Sequence, residues 1–295
     1  MSYADPSAAV ELSGRARRRR LIRKRFLRRP FAVFGLVVAL AFVLGAAMAP
    51  WIAPYHADTA YYNALLAHSS RAHLLGTDEL GRDEFSRLIW GARASIIAGV
   101  VATMLAMLIA VPLGLIAGYY RGWLDPVIAR VTDVLLAFPF LILAVGLAAI
   151  FGPSLRNATI ALGIAAVPPL IRVARGEALS LSEEDYVRAA IANGASDRRI
   201  IARHVMPNMA PTLIVQATVT IPAAIIGEAV LSFLGVGVAP PTASLGVMLA
   251  SAQRDPRDYP WLEVFPGVAI IVVTLALNLL GDGLRDALDP RETQR

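Results

Sequence analysis

Two acidic residues stand inside long apolar runs of the sequence, and they are the first candidates for chemistry. Asp133 lies near one end of the run over residues 131–151, and Glu228 lies deeper within the run over residues 208–234. A charge placed in hydrocarbon costs about 2.5–3.5 kcal/mol on insertion scales, so such a residue carries a functional hypothesis by default. At Asp133 a salt bridge or helix cap is favoured over a transport role. Two interpretations are open for Glu228. A protonated or hydrogen-bonded carboxyl that holds helices together is at least as well supported as a role in a substrate path.

The residues needed for nucleotide or covalent chemistry do not occur in a usable pattern. Cysteine is absent, which excludes disulfides, thiolate zinc sites and a cysteine nucleophile. The only lysine is Lys24, and no glycine-rich stretch precedes it, so a P-loop is excluded. The four histidines are scattered, and no Ser/His/Asp arrangement stands at a recognisable spacing. We therefore predict a non-catalytic chain without catalytic, cofactor or metal residues.

One polar segment could suggest a metal loop. It runs from His73 to Asp83 and contains Asp78 and Glu79 between them. These acids do not follow calcium-loop spacing, and no histidine pair supports zinc. We predict instead that Asp78 caps a helix.

A polar island over residues 182–208 separates two apolar runs and carries its own helix signals. Ser182 followed by Asp185 predicts a helix start that resembles a capping box. Gly194 predicts the end of that helix through positive φ, since glycine adopts the left-handed conformation that ends helices. Ser196 predicts the cap of a second short helix. The island is thus predicted to be helix, glycine elbow, helix.

The second helix of the island is expected to be limited or followed by Pro207. On the first helix, the small side chains of Ala189 and Ala190 would let another helix come close, so the island has the composition of a docking surface. A side chain at position 194 is expected to enter that surface. The alternative is an ordinary loop with two surface helices, and the spacing by itself leaves this alternative open.

The identities within the island resemble the coupling loop of ABC importer permeases: Glu-Ala-Ala, three residues, Gly, nine residues, Ile, one residue, Leu-Pro. Ala189-Ala190, Gly194 and Met206-Pro207 fall in register. Arg188 and His204 stand where the Glu and the Ile would be. These departures are usual in the dipeptide, oligopeptide and nickel branch, which the patterns Tyr-Val-x-Ala-Ala and Arg-His-x-x-Pro-Asn also resemble. The ATPase-coupling residues that the resemblance implies are Glu184, Tyr186, Arg188, Ala189, Ala190, Gly194, Ala195, Ser196, Arg199, His204 and Pro207.

Three further stretches are similar to the same branch. They are Leu-Gly-Thr-Asp-x-x-Gly-Arg-Asp over residues 75–83, Leu-Ser-Phe-Leu-Gly over 231–235, and Asn-Leu-Leu-Gly-Asp-Gly-Leu-Arg-Asp over 278–286. The resemblance covers about residues 25–291 of this sequence.

The composition is that of a membrane protein, with 57% apolar residues and a net charge of +6. Ten basic residues stand between Arg15 and Arg29, directly before the first apolar run. Nucleic acid could bind such a cluster, but orientation by the positive-inside rule explains it better, with contact to anionic lipid heads as a side effect. The first run, over residues 31–53, is too long for the core of a cleaved signal peptide. We predict no nucleic-acid partner.

Six apolar runs predict an all-α membrane protein with six transmembrane helices, over residues 31–53, 96–119, 131–151, 157–176, 208–234 and 264–282. The fourth is the weakest, because Pro168-Pro169 interrupts it. It is still required, because without it the Arg-rich loop over residues 182–206 would lie outside the cell. The predicted organisation is a basic tail (1–30), a permease domain (31–284) with an external loop (55–93) and a coupling loop (177–207), and a C-terminal tail (285–295). This topology places 21 of the 28 Lys/Arg on the side of both termini, which predicts cytoplasmic termini in a multi-pass protein of the cell membrane.

The resemblance implies the type I ABC importer permease fold, with this chain in the position of the second permease. It further implies four kinds of partner: a homologous permease subunit, two cytoplasmic ATPases that bind ATP and Mg, an extracytoplasmic binding protein and the lipid bilayer. Peptides are the expected substrates, and nickel is the alternative, disfavoured by the few histidines. Two other classes remain open: a proton-coupled secondary transporter that uses Glu228 or Asp133, and a membrane scaffold without transport.

Overall fold

The structure is a computed structural model that describes residues 20–21, 23–253 and 258–288. Within these ranges the chain is helical and forms no extended strand, which confirms the all-α prediction. The helices are α1 (Pro30–Ala47), α2 (Ala49–Ile52), α3 (Glu84–Tyr120), α4 (Leu124–Leu136), α5 (Phe140–Phe151), α6 (Leu155–Ser182), α7 (Asp185–Ala192), α8 (Asp197–Ile200), α9 (Met206–Phe233), α10 (Leu245–Ala252) and α11 (Trp261–Leu288). Residues 1–19 and 22 of the predicted tail (1–30), residues 254–257, and residues 289–295 of the predicted C-terminal tail lie outside the described residues.

Five helices of the described chain are long and apolar enough to cross a membrane. They are α1, α3, α6, the continuous stretch Asp197–Phe233 that ends in α9, and α11. The pair α4 and α5 makes a sixth if it is counted as one bent span. The predicted number of six is therefore reached only through that pair.

The third predicted span is not one helix, because α4 and α5 meet at an angle of 88°. Pro139 precedes α5 as its N-cap, and a proline ring clashes with the carbonyl four residues before it. The residue before a proline also disfavours helical backbone. At 12 residues, α5 is about 18 Å long, well short of the roughly 30 Å of hydrocarbon. The continuous span predicted over residues 131–151 is thus wrong.

The fourth predicted span is present and longer than expected, since α6 continues through Pro168 and Pro169. It packs more extensively on α3 than any other pair of helices in the described chain. Small residues make this contact possible: a Cβ added at Gly114 of α3 would stand 2.6 Å from the Cβ of Ala174. Close packing of small residues is a main source of helix association in membranes. Tertiary contacts therefore keep the prolines inside a helix.

The connecting segment, defined as residues 53–83, is shorter than the predicted external loop because α3 begins at Glu84. Asp83 caps this helix: its side chain accepts a hydrogen bond from the Ser86 N–H at 2.8 Å. The predicted helix cap at Asp78 is wrong. Asp78 accepts instead from the N–H groups of Leu80 and Arg82, both at 2.9 Å, and so closes the turn before the helix.

The helices alternate in direction, so the bundle has two ends. The segment end carries the connecting segment, the start of α3 and the end of α9. The loop end carries residues 183–205, the start of α1 and the end of α11. Ion pairs tie the loop end together, from Arg29 to Asp286 and from Arg121 to Glu183, both at 2.8 Å. This arrangement is the one that six alternating spans require.

Candidate functional site

The predicted coupling loop lies at the loop end, between α6 and α9. Its first helix is α7, and Glu184 rather than Ser182 is its N-cap. Ser182 is the last residue of α6, and its hydroxyl donates to the Leu179 carbonyl at 2.8 Å. The capping-box prediction is therefore wrong, because the Ser182 hydroxyl, at the last residue of α6, finds a nearer carbonyl acceptor within its own helix.

The predicted elbow at Gly194 is present. Its φ is +74°, in the left-handed region. Two hydrogen bonds close the end of α7: the Ala195 N–H donates to the Ala190 carbonyl at 3.1 Å, and the Gly194 N–H donates to the Ile191 carbonyl at 2.9 Å. This pair of bonds is a Schellman motif, which satisfies carbonyls that a helix end would otherwise leave unpaired. Within this chain, a Cβ added at 194 would meet nothing within 4 Å, so the position is open toward the predicted docking surface, and entry of a side chain into that surface stays a prediction.

The second helix of the loop does not end at Pro207. Ser196 is the N-cap of α8 as predicted, although its side chain makes no capping hydrogen bond. A π-helical turn over Ile201–Val205 then joins α8 to α9, so that Asp197–Phe233 is one continuous helical stretch. Proline removes the N–H that would bond the carbonyl of Arg203, and wide π turns accommodate such interruptions. The loop is therefore rigidly continuous with the fifth span.

An apolar cluster fastens this loop onto the bundle. Val187 of α7, Ile200 of α8 and Val205 of the π turn are fully buried, and they pack with Ala174 and Ala178 of α6. Burying aliphatic side chains of this size stabilises a contact by about 1.5–3 kcal/mol each. The loop is consequently held on its inner side by packing, and its opposite side is free to meet another molecule.

The structure gathers the predicted coupling residues onto this unit with different exposures. On its exposed side lie Glu184, Tyr186, Arg188, Ala189, Gly194, Ser196, Arg199 and Pro207, whereas Ala190, Ala195 and His204 are half-buried. Ala190 and Ala195 pack against the apolar cluster rather than facing outward. The exposed side also includes Ile191, which is 53% exposed and which sequence reasoning missed.

The two patterns that resemble the peptide branch, Tyr-Val-x-Ala-Ala and Arg-His-x-x-Pro-Asn, contact each other in this loop. Asn208 donates from its side chain to the His204 carbonyl at 2.7 Å and to the Tyr186 hydroxyl at 3.3 Å. The rings of Tyr186 and His204 lie 6.1 Å apart. Burial, followed by the negative charge of Glu184, raises the pKa of the Tyr186 phenol, so the group stays neutral and hydrogen-bonding. Asn208 was part of the Arg-His-x-x-Pro-Asn pattern, and that signal could have assigned it to the site.

The two intramembrane acids have partners. Asp133 of α4 forms an exposed ion pair with Arg172 of α6 at 2.9 Å, which is the salt bridge that the sequence favoured. Glu228 of α9 is fully buried, and its two carboxyl oxygens accept from the hydroxyls of Ser95 at 2.5 Å and Ser232 at 2.7 Å. Since Ser95 belongs to α3, the Glu228 carboxyl connects two spans near the segment end. A carboxyl so placed is well suited to hold helices together.

Two acids of the connecting segment, Asp78 and Asp83, are engaged with basic side chains. Asp78 contacts Arg82 at 2.7 Å and Arg87 at 3.4 Å, and the Asp83 carboxylate lies 2.9 Å from the His73 ring. All five side chains are buried. This network folds the segment into a fixed cap over the start of α3.

Two family models match this sequence. Residues 110–294 match the family described as "Binding-protein-dependent transport system inner membrane component". Residues 18–68 match the "N-terminal TM domain of oligopeptide transport permease C". The chain belongs to this family of ABC importer permeases. The coupling-loop resemblance and the all-helical fold point to the same family.

Curated relatives of this permease cover nearly its whole length. It is 42% identical to a dipeptide transport system permease protein DppC of Alkalihalophilus pseudofirmus, over 91% of this chain and 88% of the relative. It is also 42% identical to a glutathione transport system permease protein GsiD of Pectobacterium atrosepticum, over 91% and 89% of the two chains. A solved structure of the MetNI methionine ABC transporter in an inward-facing conformation matches with a TM-score of 0.59 and 19% identity, over 70% of this permease and 97% of that chain. At that identity the structure supports the fold alone. None of these matches is a secondary transporter or a scaffold.

Proposed function

We propose that this permease moves peptides into the cell as one of two homologous membrane subunits driven by two cytoplasmic ATPases. Peptides are proposed as the substrate because the chain is similar to dipeptide and glutathione permeases over nine-tenths of its length. ATP and Mg would bind in the ATPases, and an extracytoplasmic binding protein would deliver the peptide at the segment end. This subunit would supply no catalytic group, and both of its termini would lie in the cytoplasm.

The role proposed for the loop is to receive the motion of an ATPase. The exposed side of α7, with Tyr186, Arg188 and Ala189, would seat in the ATPase surface. Its buried side is fixed to α6 through Val187, and the elbow at Gly194 sets the direction of α8. Because packed helices move as rigid bodies, a displacement of α7 would be passed to α6 and α9 together.

The motion would reach the segment end through the continuous helix Asp197–Phe233. At about 1.5 Å per residue this stretch of 37 residues is roughly 55 Å long. It begins at the coupling loop and passes Glu228, whose carboxyl connects it to α3. A tilt imposed at α8 would therefore also move α3, and with it the mouth of the path at the segment end.

The test is uptake by the reconstituted complex. The permease would be purified with its neighbouring permease, the two ATPases and the binding protein, and placed in proteoliposomes with a labelled dipeptide. We expect uptake that needs ATP and all subunits. A proton gradient without ATP that drove uptake through this chain alone would refute the proposal in favour of a secondary transporter. Uptake of radioactive nickel without uptake of any dipeptide would refute the substrate class while leaving the ATP-driven mechanism.

A further inference from the structure

A cleft of about 370 Å³ opens at the segment end of the bundle, away from the coupling loop. Its lining includes Asp58 of the connecting segment, Trp90, Arg93 and Ile97 of α3, and Leu155 at the start of α6. The volume falls within the range of small-molecule sites, which are concave and mostly apolar with a few placed polar groups.

Arg93 is the unusual residue of this cleft. It is half-buried, and its guanidinium lies 5.2 Å from the centroid of the Trp90 ring, within reach of a cation–π interaction. Arg82 and Arg87, at the same end of the bundle, both contact the Asp78 carboxylate. By contrast, Arg93 forms no ion pair with any carboxylate of the described residues. The aromatic face therefore orients the guanidinium and leaves its planar fork of N–H donors for another acceptor.

An arginine placed in this way favours a carboxylate ligand. Guanidinium and carboxylate pair through two parallel charge-assisted hydrogen bonds, which are among the strong ones in proteins. Across the lining, the exposed Asp58 carboxylate likewise forms no ion pair within the described chain. The cleft thus offers a cation without an ion pair, an exposed carboxylate that also feels the positive charge of Arg87, and an apolar wall from Trp90, Ile97 and Leu155.

We propose that this cleft is a peptide-receiving site, in which Arg93 binds the C-terminal carboxylate of a short peptide and Asp58 binds its terminal ammonium. Trp90 is a positioning residue that holds the guanidinium, and the apolar wall accepts a side chain of the peptide. The inference rests on the proposed peptide transport and deepens it, because it assigns the mouth of the path to named residues. The ligand is defined by its chemistry: a small zwitterion with an apolar body.

The test compares two substrates in two permeases. ATP-dependent uptake of a dipeptide with a free carboxylate is measured beside uptake of the same dipeptide as its C-terminal amide, with unchanged Arg93 and with Arg93→Gln. In each permease, uptake of the acid is divided by uptake of the amide, and the two quotients are then compared. The binding protein is the same in all four measurements, so its own preference between the two substrates cancels in this comparison. We expect the acid-to-amide preference to fall about tenfold to hundredfold in Arg93→Gln, the range for loss of a charged hydrogen-bonded pair.

Several variants keep the test decisive. Arg93→Lys retains the charge without the fork, and we expect an intermediate preference. It replaces Arg93→Gln if that variant does not assemble. Asp58→Asn should reduce the preference for a free over an N-acetylated peptide and leave the acid-to-amide preference unchanged. Arg71→Gln, at an exposed position of the connecting segment, is the matched control and should behave as the unchanged protein.

The outcomes separate the site from the transport function. If the unchanged complex takes up no peptide, the proposed function fails. If it takes up peptide and Arg93→Gln or Arg93→Lys lowers uptake of acid and amide equally, the proposed site is wrong and peptide transport stands. A weakened affinity of the complex for the empty binding protein in Arg93→Gln, with an unchanged acid-to-amide preference, would assign the cleft to docking of that protein and would also overturn the inference.

Discussion

Replacing Gly194 with valine is the sharpest test of the coupling loop. The φ of +74° lies in the region that glycine enters freely and that other L-residues avoid, β-branched ones most of all. Open space surrounds the position, because an added Cβ would touch nothing within 4 Å. Within the subunit, the effect of a substitution therefore comes from the backbone conformation, and it can be graded by residue type without a steric clash inside this chain.

The magnitude follows from that backbone conformation. A left-handed residue other than glycine costs about 1–2 kcal/mol, and valine stands at or above the top of this range. About 2 kcal/mol shifts the balance between the closed elbow and alternatives some 30-fold, since 1.4 kcal/mol is tenfold. The two hydrogen bonds that end α7 depend on the same conformation. If that conformation is lost, we expect the orientation of α8 relative to α7 to change. Asparagine tolerates the left-handed region, and we expect Gly194→Asn to reduce uptake only a few-fold.

The assay is uptake together with peptide-stimulated ATP hydrolysis by the complex in proteoliposomes. For Gly194→Val we expect normal membrane abundance, because the spans are untouched, with weak ATPase binding or hydrolysis uncoupled from uptake. Gly194→Asn is the matched control, and it should keep most of both activities. Two results would refute the reasoning: a valine variant that assembles and pumps normally, or an asparagine variant as defective as valine.

Three further predictions concern the spans. Glu228→Gln should keep assembly and most uptake, because the amide still accepts from a serine hydroxyl, and a variant with normal abundance but no uptake would place Glu228 on the path instead. Gly114→Leu should lower the thermal stability of the detergent-solubilised subunit by the equivalent of about 1–3 kcal/mol, since a Cβ there already meets α6 at 2.6 Å. Gly146→Leu, with open space around it, should change stability far less, and equal losses would contradict the packing account. In intact cells, a membrane-impermeant thiol reagent should label Ser70→Cys but not Ser196→Cys; both residues are exposed, and strong labelling at 196 would reverse the proposed orientation.

Local signals in the sequence were enough for much of this protein. Six apolar runs predicted the number of spans once the bent pair α4 and α5 is counted as one. The elbow at Gly194 was predicted from residue type, because its conformational freedom belongs to glycine itself rather than to its surroundings. The salt-bridge alternative at Asp133 was also anticipated, since a charge near a span end needs a partner. The spans and the need for a partner at Asp133 follow from partition into lipid, and the elbow follows from local conformation, whereas the identity of the partner, Arg172, comes from the packing of α6 on α4.

Other features were decided only by contacts between distant residues. Pro139 separates two helices at 88°, whereas Pro168 and Pro169 lie within one, because α6 packs closely on α3 over much of its length. The cap of α3 is a local feature that sequence reasoning missed: Asp78 stabilises the preceding turn, and Asp83 caps the helix. The cleft joins Asp58, Arg93 and Leu155 from three separate elements. The spacing of residues in the sequence does not predict such contacts, because they form only when the helices pack and do not depend on the local conformational preferences of the chain.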